Sequence, residues 1–187
     1  MIFFYLFTIV LSLSLYIGFI FFLVAEVTAS FTTDAPFVPV PKEIVDEIIK
    51  NLGLTSSSVL YDLGCGDARV LIKTAQKYPG IKAVGVEIAF FPYLLAKLYA
   101  QKYKNIEIIR ENIFKTDISN ATHIFVYLYP KIINRLFLII KEQSKAGTKI
   151  VSCDFQIEGQ KPIQIINLST INPNSKRGQK LFIYTTL

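Results

Sequence analysis

The chain has 187 residues, enough for one domain with a core of ordinary size. Its apolar residues are concentrated at the start: no charged residue precedes Glu26, and all twenty Lys and Arg residues lie at Lys42 or later. Two cysteines in separate motifs and a single histidine argue against a disulfide-stabilised or metal-binding protein, and unpaired thiols suit a reducing compartment.

Residues 1–26 are predicted to form a transmembrane anchor. The uncharged run from Met1 to Ala25 spans roughly 36 Å as a helix, which is enough to cross a bilayer. A cleaved signal peptide is the alternative, since Val27-Thr28-Ala29 could serve as a cleavage site. Such peptides normally begin with basic residues, however, and none precedes this run. We therefore predict a retained, single-pass anchor in the lipid bilayer.

The charges that follow the anchor predict its orientation. The N-terminus carries no basic side chain, and the net charge of +6 belongs to the remainder of the chain. This remainder is therefore expected to face the cytoplasm, or the matrix if the membrane is mitochondrial. Its basic residues could hold it against anionic headgroups. They could equally be solvated surface, because Lys97, Lys102 and Lys104 resemble the wet side of a helix.

The elements that follow the linker and loop at 27–40 predict one domain over 41–187. A helix opens at Pro41 and stops at Gly53. Strands and helices then alternate, which predicts a Rossmann-like α/β fold, a mostly parallel sheet with helices on both faces. A C-terminal antiparallel hairpin is predicted to add one antiparallel strand at the edge of the sheet. The predicted strands are 59–61, 83–86, 106–109, 124–127, 148–152, 163–168 and 181–185, and the helices between them include 68–77, 94–99 and 130–140.

A glycine-rich turn, Asp62-Leu63-Gly64-Cys65-Gly66-Asp67, links the first of these strands to a helix. Glycines let backbone N–H groups approach a ligand closely at the positive end of a helix dipole. A nicotinamide-binding turn would carry a glycine where Arg69 stands. Asp62 instead suits a methyl donor with a cationic amine, and Asp67 could assist it, although a helix N-cap is the alternative role for Asp62. The turn predicts a site for S-adenosyl-L-methionine, with contacts from Gly64, Cys65 and Gly66.

A second acid supports this cofactor. Glu87 directly follows the apolar run Ala83–Val86, about twenty residues after the turn, so its carboxylate should stand at the ligand-binding edge of the sheet. An acid at that edge can accept both hydroxyl groups of a ribose. The two acids at this separation indicate the cofactor far more strongly than either does alone.

Three segments resemble one branch of the class I methyltransferases. Pro36–Pro41 resembles the family's aromatic-x-Pro loop, Tyr61–Arg69 is close to its glycine motif, and Val151–Phe155 resembles its Ser-x-Asp-Phe motif. This branch contains the lysine methyltransferases of the mitochondrial adenine nucleotide translocase and the ATP synthase c subunit, with their prokaryotic relatives. The resemblance covers about residues 36–187. It implies a protein-lysine N-methyltransferase that acts on a membrane-embedded or membrane-associated protein, and the apolar anchor fits this group.

The chain departs from the family's motifs at two positions. Ala68 stands where the family usually has a glycine, and it is expected to be tolerated if a helix begins there with ordinary dihedral angles. Glu111-Asn112 stands where the family often has Gly-Asp after the third strand. Asn112 is still predicted to meet the polar edge of the cofactor's adenine.

Aromatic residues near the strand ends predict a substrate channel. The fourth strand ends in Tyr127-Leu128-Tyr129-Pro130 rather than Asn-Pro-Pro-Tyr, which argues against nucleobase and amide substrates. Aromatic walls would desolvate a lysine, lower its pKa and favour the neutral amine that methyl transfer requires. Some of these rings, Tyr127 above all, could instead belong to the core. The predicted channel residues are Phe37, Tyr127, Tyr129 and Phe155 as walls, with Asp154 as a polar group near the mouth.

Two other functions stay open at this point. The substrate could be a small lipophilic molecule, such as a quinone or a lipid headgroup. Alternatively, the chain could be a non-catalytic, membrane-tethered module that has kept the cofactor fold, although intact Asp62, Gly64, Gly66 and Glu87 argue against this. A membrane protein is the favoured substrate, because tethering raises the effective concentration of the enzyme near such targets.

Overall fold

The computed structural model describes residues 1–32 and 38–186, and for residues 25–32 it describes the backbone. The chain separates into two compact units, residues 1–36 and 37–187. In the first unit, helix α1 runs from Ile2 to Thr32 and so continues past the predicted end of the anchor. Its segment Ile2–Val24 is long and apolar enough to cross a membrane, and none of that segment is buried. Length and composition alone fit both a membrane span and a signal sequence.

A seven-stranded sheet forms the centre of the second unit. Its strands are β1 Val59–Leu63, β2 Lys82–Val86, β3 Ile106–Ile109, β4 His123–Val126, β5 Lys149–Cys153, β6 Gln164–Asn167 and β7 Lys180–Thr185. The spatial order is β3-β2-β1-β4-β5-β7-β6. The first five strands in this order are parallel, and β7 is antiparallel to both of its neighbours. The predicted Rossmann-like α/β fold with a C-terminal antiparallel hairpin is confirmed.

The predicted edge position of the antiparallel strand is wrong, because β7 lies inside the sheet and β6 forms the edge. The reason lies in the side chains of the two strands. The four residues Leu181–Tyr184 of β7 are all buried, as a strand covered on both faces requires. In β6 no residue is buried, and Ile165 is 54% exposed.

Helices cover both faces of the sheet. They are α2 Val45–Leu52, α3 Arg69–Lys77, α4 Phe90–Ala100 and α5 Pro130–Gln143. From β1 the chain moves through β2 to β3, and from β4 it moves the opposite way across the sheet to β5. Because crossovers between parallel strands are right-handed, α3 and α4 lie on one face of the sheet and α5 lies on the other. A 3-10 turn, Lys42–Ile44, separates Pro41 from α2, so Pro41 does not open the α-helix directly. Gly53 ends α2 in the left-handed conformation, as predicted.

Helices α2 and α5 bury large apolar side chains on their inner faces, whereas α4 does not. Helix α5 buries the predicted apolar stripe from Ile132 to Ile140 and exposes Lys131 and Arg135. Helix α4 instead buries its small residues, Pro92, Ala96 and Ala100, and exposes most of its large apolar side chains.

The glycine motif contains a strained residue at its end. Ala68 has φ +61° and ψ +21°, in the left-handed region, and α3 begins only at Arg69. The expectation of ordinary dihedral angles at Ala68 is therefore wrong. The turn imposes a backbone conformation that suits the family's usual glycine. Ala68 adopts this conformation under strain, because it carries a Cβ atom.

We expect Ala68→Gly to raise the free energy of unfolding by about 0.5–1 kcal/mol, because the left-handed strain is relieved while little buried volume is lost. Chemical unfolding of the full chain in detergent measures this change. Ala75→Gly, the same substitution inside α3, is the control and should lower stability by about 1 kcal/mol. Equal destabilisation by both changes would contradict strain at Ala68.

Candidate active site

The glycine turn is fixed to the end of β2 by three backbone N–H groups. Those of Gly64 and Cys65 donate to the Val86 carbonyl oxygen at 2.8 and 3.0 Å, and that of Gly66 donates to Glu87 Oε2 at 3.0 Å. Gly64 has φ +86°, and a Cβ atom there would lie 3.0 Å from Cδ2 of Leu128. The turn therefore crosses the carboxyl ends of β1 and β2 and directly adjoins the chain that follows β4.

Asp62 lies in β1 beneath this turn and is buried. It is only 3% exposed, and no residue of the described ranges 1–32 and 38–186 donates a hydrogen bond to its side chain. Burial, with the nearby charges of Glu87 and Asp67, raises the pKa of Asp62 well above its ordinary value. A helix N-cap role is wrong, because Ala68 precedes α3. A buried acceptor without a donor fits a cationic ligand group.

Glu87 follows β2 and is oriented by the backbone. Its Oε1 accepts a hydrogen bond from the Ala89 N–H at 2.8 Å, and its Oε2 accepts the one from Gly66. Burial raises the pKa of Glu87, while these N–H groups oppose the increase. Each carboxylate oxygen keeps a second lone pair. The side chain is thus held in place with acceptor capacity left for hydroxyl groups.

The turn's other predicted contacts are engaged within the protein. The Cys65 side chain is buried, and a Cβ atom on Gly85 would lie 2.8 Å from its Sγ, so only its backbone could reach a cofactor. Burial raises the pKa of this thiol well above its ordinary value. Asp67 forms a two-pronged ion pair with Arg69, with Oδ2 2.6 Å from Nη2 and Oδ1 2.9 Å from Nε. Asp67 is thus committed to Arg69.

Asn112 lies in the turn after β3, where its Oδ1 accepts a hydrogen bond from the Phe114 N–H at 3.0 Å. Within the described part of the chain, its side-chain NH₂ donates to no other residue. This group therefore remains available for an acceptor such as a ring nitrogen of adenine.

Three of the predicted channel residues come together after β4 and β5. The ring centroids of Tyr127 and Phe155 lie 6.4 Å apart in a stacked arrangement, and those of Tyr129 and Phe155 lie 5.7 Å apart. Tyr127 and Phe155 are half-buried, and Tyr129 is 42% exposed. Tyr127 also packs against the core, so both roles considered for this residue hold in part. Phe37 lies outside the described residues.

Asp154 lies beside Tyr127 of this cluster and also anchors a loop through its carboxylate. Its carboxylate accepts hydrogen bonds from the N–H groups of Gly178 at 2.6 Å, Gln179 at 2.6 Å and Lys180 at 3.2 Å. Asp154 itself has φ +62°, and the Phe155 N–H bonds to the Cys153 carbonyl across it. Burial, with the nearby charge of Asp154, raises the pKa of Tyr127, whose hydroxyl therefore stays protonated.

Two residues that sequence reasoning did not select hold the segment before α2 at this edge. Arg69 donates from Nη1 to the Val40 carbonyl at 2.6 Å. Gly178, with φ +68°, packs so tightly that a Cβ atom would lie 2.5 Å from Ile44 Cδ1 and 3.1 Å from Pro41 Cγ. The Asp67-x-Arg69 spacing is a signal for the first contact. No local signal exists for the second, which joins segments far apart in sequence.

In the sheet order, the reversed strand β7 lies between β5 and β6. This order, together with the glycine turn after β1 and the acids Asp62 and Glu87, defines a class I S-adenosylmethionine-dependent methyltransferase. The chain belongs to the family of the ANTKMT methyltransferase domain, whose model matches residues 62–164. The predicted family, enzyme class and cofactor are confirmed.

Individual relatives agree with this assignment. A protein-lysine N-methyltransferase of Saccharolobus islandicus is 32% identical over 78% of this chain and 92% of its own length. The ATP synthase C-subunit lysine N-methyltransferase of Caenorhabditis elegans is 27% identical over 65% of this chain and 67% of its own. A solved structure of an RNA methyltransferase from Salinibacter ruber in complex with S-adenosyl-L-homocysteine is 32% identical, with a TM-score of 0.72 over 79% of this chain and 93% of that one.

We expect Asp62→Asn to have opposite effects on stability and on cofactor binding. Because its folded-state pKa is raised, Asp62 contributes stability that is present below about pH 3.9 and is lost as the pH rises through the raised pKa. At neutral pH the substitution should therefore stabilise the cofactor-free protein, by about 1.4 kcal/mol for each unit of that pKa increase. Affinity for the methyl donor should fall about ten- to a hundredfold.

Chemical unfolding from pH 5 to 8 and calorimetric titration with methyl donor measure these two effects. Glu107→Gln is the matched control, because Glu107 is exposed on β3 and pairs with Lys82. It should change neither quantity appreciably. Unchanged donor affinity in folded Asp62→Asn protein would rule out the role assigned to this carboxylate.

We expect Asp154→Asn to lower the free energy of unfolding by about 1.5–3 kcal/mol, because a side-chain amide cannot accept all of the hydrogen bonds that the carboxylate accepts from backbone N–H groups. Asp117→Asn is the comparison, since Asp117 is exposed and accepts a single backbone N–H, from Ser119. A loss of stability no larger than that of Asp117→Asn, measured by chemical unfolding, would contradict the anchoring role of Asp154.

Proposed function

We propose that this methyltransferase modifies lysine side chains of a membrane-associated protein, with its cofactor held by Asp62, Glu87 and the glycine turn. The observation that carries the proposal is the cluster of Tyr127, Tyr129 and Phe155 beside that turn. Leu128, between the two tyrosines, packs on Gly64, so the cluster and the glycine turn are directly adjacent. The names of the Saccharolobus islandicus and Caenorhabditis elegans relatives support a lysine as the acceptor.

The residues of the turn fit S-adenosylmethionine. The buried Asp62 carboxylate would meet the cationic amine, and Glu87 would accept hydrogen bonds from the ribose hydroxyls. The Asn112 NH₂ group would donate to the adenine. Bound there, the cofactor supplies an electrophilic methyl group.

The aromatic cluster would prepare the lysine. An amine can accept a methyl group only through its lone pair, so the ammonium form must first lose its proton. Rings that exclude water disfavour the charged form and lower the pKa of an amine between them. The Tyr127 hydroxyl remains protonated because its pKa is raised, so it cannot take that proton. The proton would instead pass to water as the amine enters the cluster and its pKa falls.

Asp154 then has a positioning role. By holding the loop that begins at Gly178, it keeps Pro41 and the 3-10 turn at the same edge of the sheet as the cluster. Phe37 belongs to the same proposal as a further wall of the channel. The apolar segment of α1 supports a bilayer anchor, which would keep the domain near membrane proteins. The anchor, linker and domain bounds at 1–26, 27–40 and 41–187 belong to this proposal, as does a cytoplasmic or matrix location.

RNA methylation is the second candidate, because the Salinibacter ruber relative carries that name at the same identity as the protein-lysine methyltransferase. Labelled methyl donor, full-length chain and membrane extract separate the candidates. Label in protein that is sensitive to protease, and found on lysine by mass spectrometry, supports the proposal. Label removed by ribonuclease or extracted into organic solvent supports RNA or a lipophilic molecule instead. With methyl donor below its dissociation constant, the Asp62→Asn variant should label about ten- to a hundredfold less, and Glu107→Gln should label normally.

We expect Phe155→Leu to shift the pH dependence of methyl transfer. In the native protein the rate should rise with pH through an inflection below the ordinary lysine pKa of about 10.4. Opening the cluster to water should raise this inflection and slow transfer near pH 7 about tenfold for each pH unit of the shift, with donor affinity unchanged. Phe137→Leu, in the buried face of α5, is the control for general loosening. The same inflection in all three proteins would contradict desolvation by this cluster.

A further inference from the structure

Helix α4 turns its large apolar side chains away from the sheet. Ala96 and Ala100 are 0% and 4% exposed, whereas Leu94 is 50% and Leu98 is 54% exposed. The exposed large apolar residues of α4 follow the i, i+3, i+4, i+7 spacing of one helical stripe. We call this stripe the α4 face, and it consists of Phe91, Leu94, Leu95 and Leu98, with Ile88 before it and Tyr99 beside it.

The opposite helix layer shows what an ordinary water-facing stripe looks like in this protein. The outer side of α5 carries Lys131, Arg135 and Lys141, and Leu138 is its one strongly exposed large apolar residue among those described. A contiguous apolar face marks an interaction surface, whereas a single exposed leucine does not.

The charges around the α4 face indicate what covers it. Between Glu87 and Glu107 the chain contains no acidic residue. The same stretch carries three lysines, Lys97, Lys102 and Lys104, all of them exposed. A helix with outward aromatic and leucine side chains flanked by lysines matches the interface of an anionic bilayer, where the apolar groups enter and the ammonium groups meet headgroup phosphates.

We propose that the α4 face docks on the anionic surface of the lipid bilayer that holds α1. This inference rests on the proposed anchoring of α1. The chain between Val24 and Phe37 can extend at most roughly 45 Å, so the domain of an anchored protein stays close to the membrane surface. Because α4 begins three residues after Glu87, Ile88 and Phe91 lie near the carboxyl edge of the sheet. Docking through them brings the candidate active site close to the headgroups.

The protein contains no tryptophan, so a single introduced tryptophan reports on its own surroundings. Three full-length variants, Leu94→Trp, Leu138→Trp and Leu11→Trp, are reconstituted into vesicles of phosphatidylcholine with 30% phosphatidylglycerol (about one anionic lipid in three). Brominated acyl chains in the vesicles quench a tryptophan that enters the bilayer. Leu138 is the matched control, an exposed leucine on the opposite face of the sheet, and Leu11 tests insertion of α1.

Docking predicts strong quenching at positions 11 and 94 and little at 138. Replacing phosphatidylglycerol by phosphatidylcholine should reduce quenching at 94 at least twofold and leave that at 11 unchanged. Quenching at 11 with equal, weak quenching at 94 and 138 would overturn the docking while leaving the anchor intact. Quenching at none of the positions would overturn the anchor as well. Cross-links between two copies through position 94, without quenching there, would assign the α4 face to self-association and overturn the lipid assignment.

Discussion

The attachment of the glycine turn to the end of β2 is the constraint on which the site depends. Two N–H groups of the turn converge on the Val86 carbonyl, and a third reaches the Glu87 carboxylate. This arrangement brings Asp62 of β1 and Glu87, directly after β2, beneath one turn. It also requires a residue without a Cβ atom at Gly85, because the Cys65 sulfur and two apolar side chains occupy that space. The cofactor acids and the local core are therefore fixed by the same few contacts.

Much of the fold could be predicted from the sequence, because alternating strands and helices with a glycine turn and two spaced acids carry strong local signals. The features that were missed depend on contacts between distant segments. The antiparallel strand was expected at the edge because a hairpin pattern does not reveal which of its strands pairs with β5. The anchoring role of Asp154 was missed because nothing near it in sequence reveals the three N–H groups that donate hydrogen bonds to its carboxylate. The orientation of α4 was missed because an almost uniformly apolar helix has no sequence signal for its inner side.

Strain in this protein is concentrated at the two family motifs. Among the described residues, Ala68 and Asp154 are the ones other than glycine with a positive φ. Asp154 directly follows β5, and Ala68 ends the glycine turn directly before α3, so both lie in sharp turns beside the candidate site. At Asp154 the hydrogen bonds that backbone N–H groups donate to its carboxylate offset the strain. The methyl side chain of Ala68 can accept no such hydrogen bonds. Short, strained turns at strand ends are a common way to aim functional groups at a ligand.

The contact between Gly178 and Pro41 also determines when the site can exist. Pro41 lies at the beginning of the domain and Gly178 in its last hairpin, so the segment before α2 cannot reach its final position until the hairpin has been synthesised. Contacts of such large sequence separation form late and slow folding. During translation α1 leaves the ribosome well before this hairpin. The active site is consequently completed only when the whole domain, through its last hairpin, has left the ribosome.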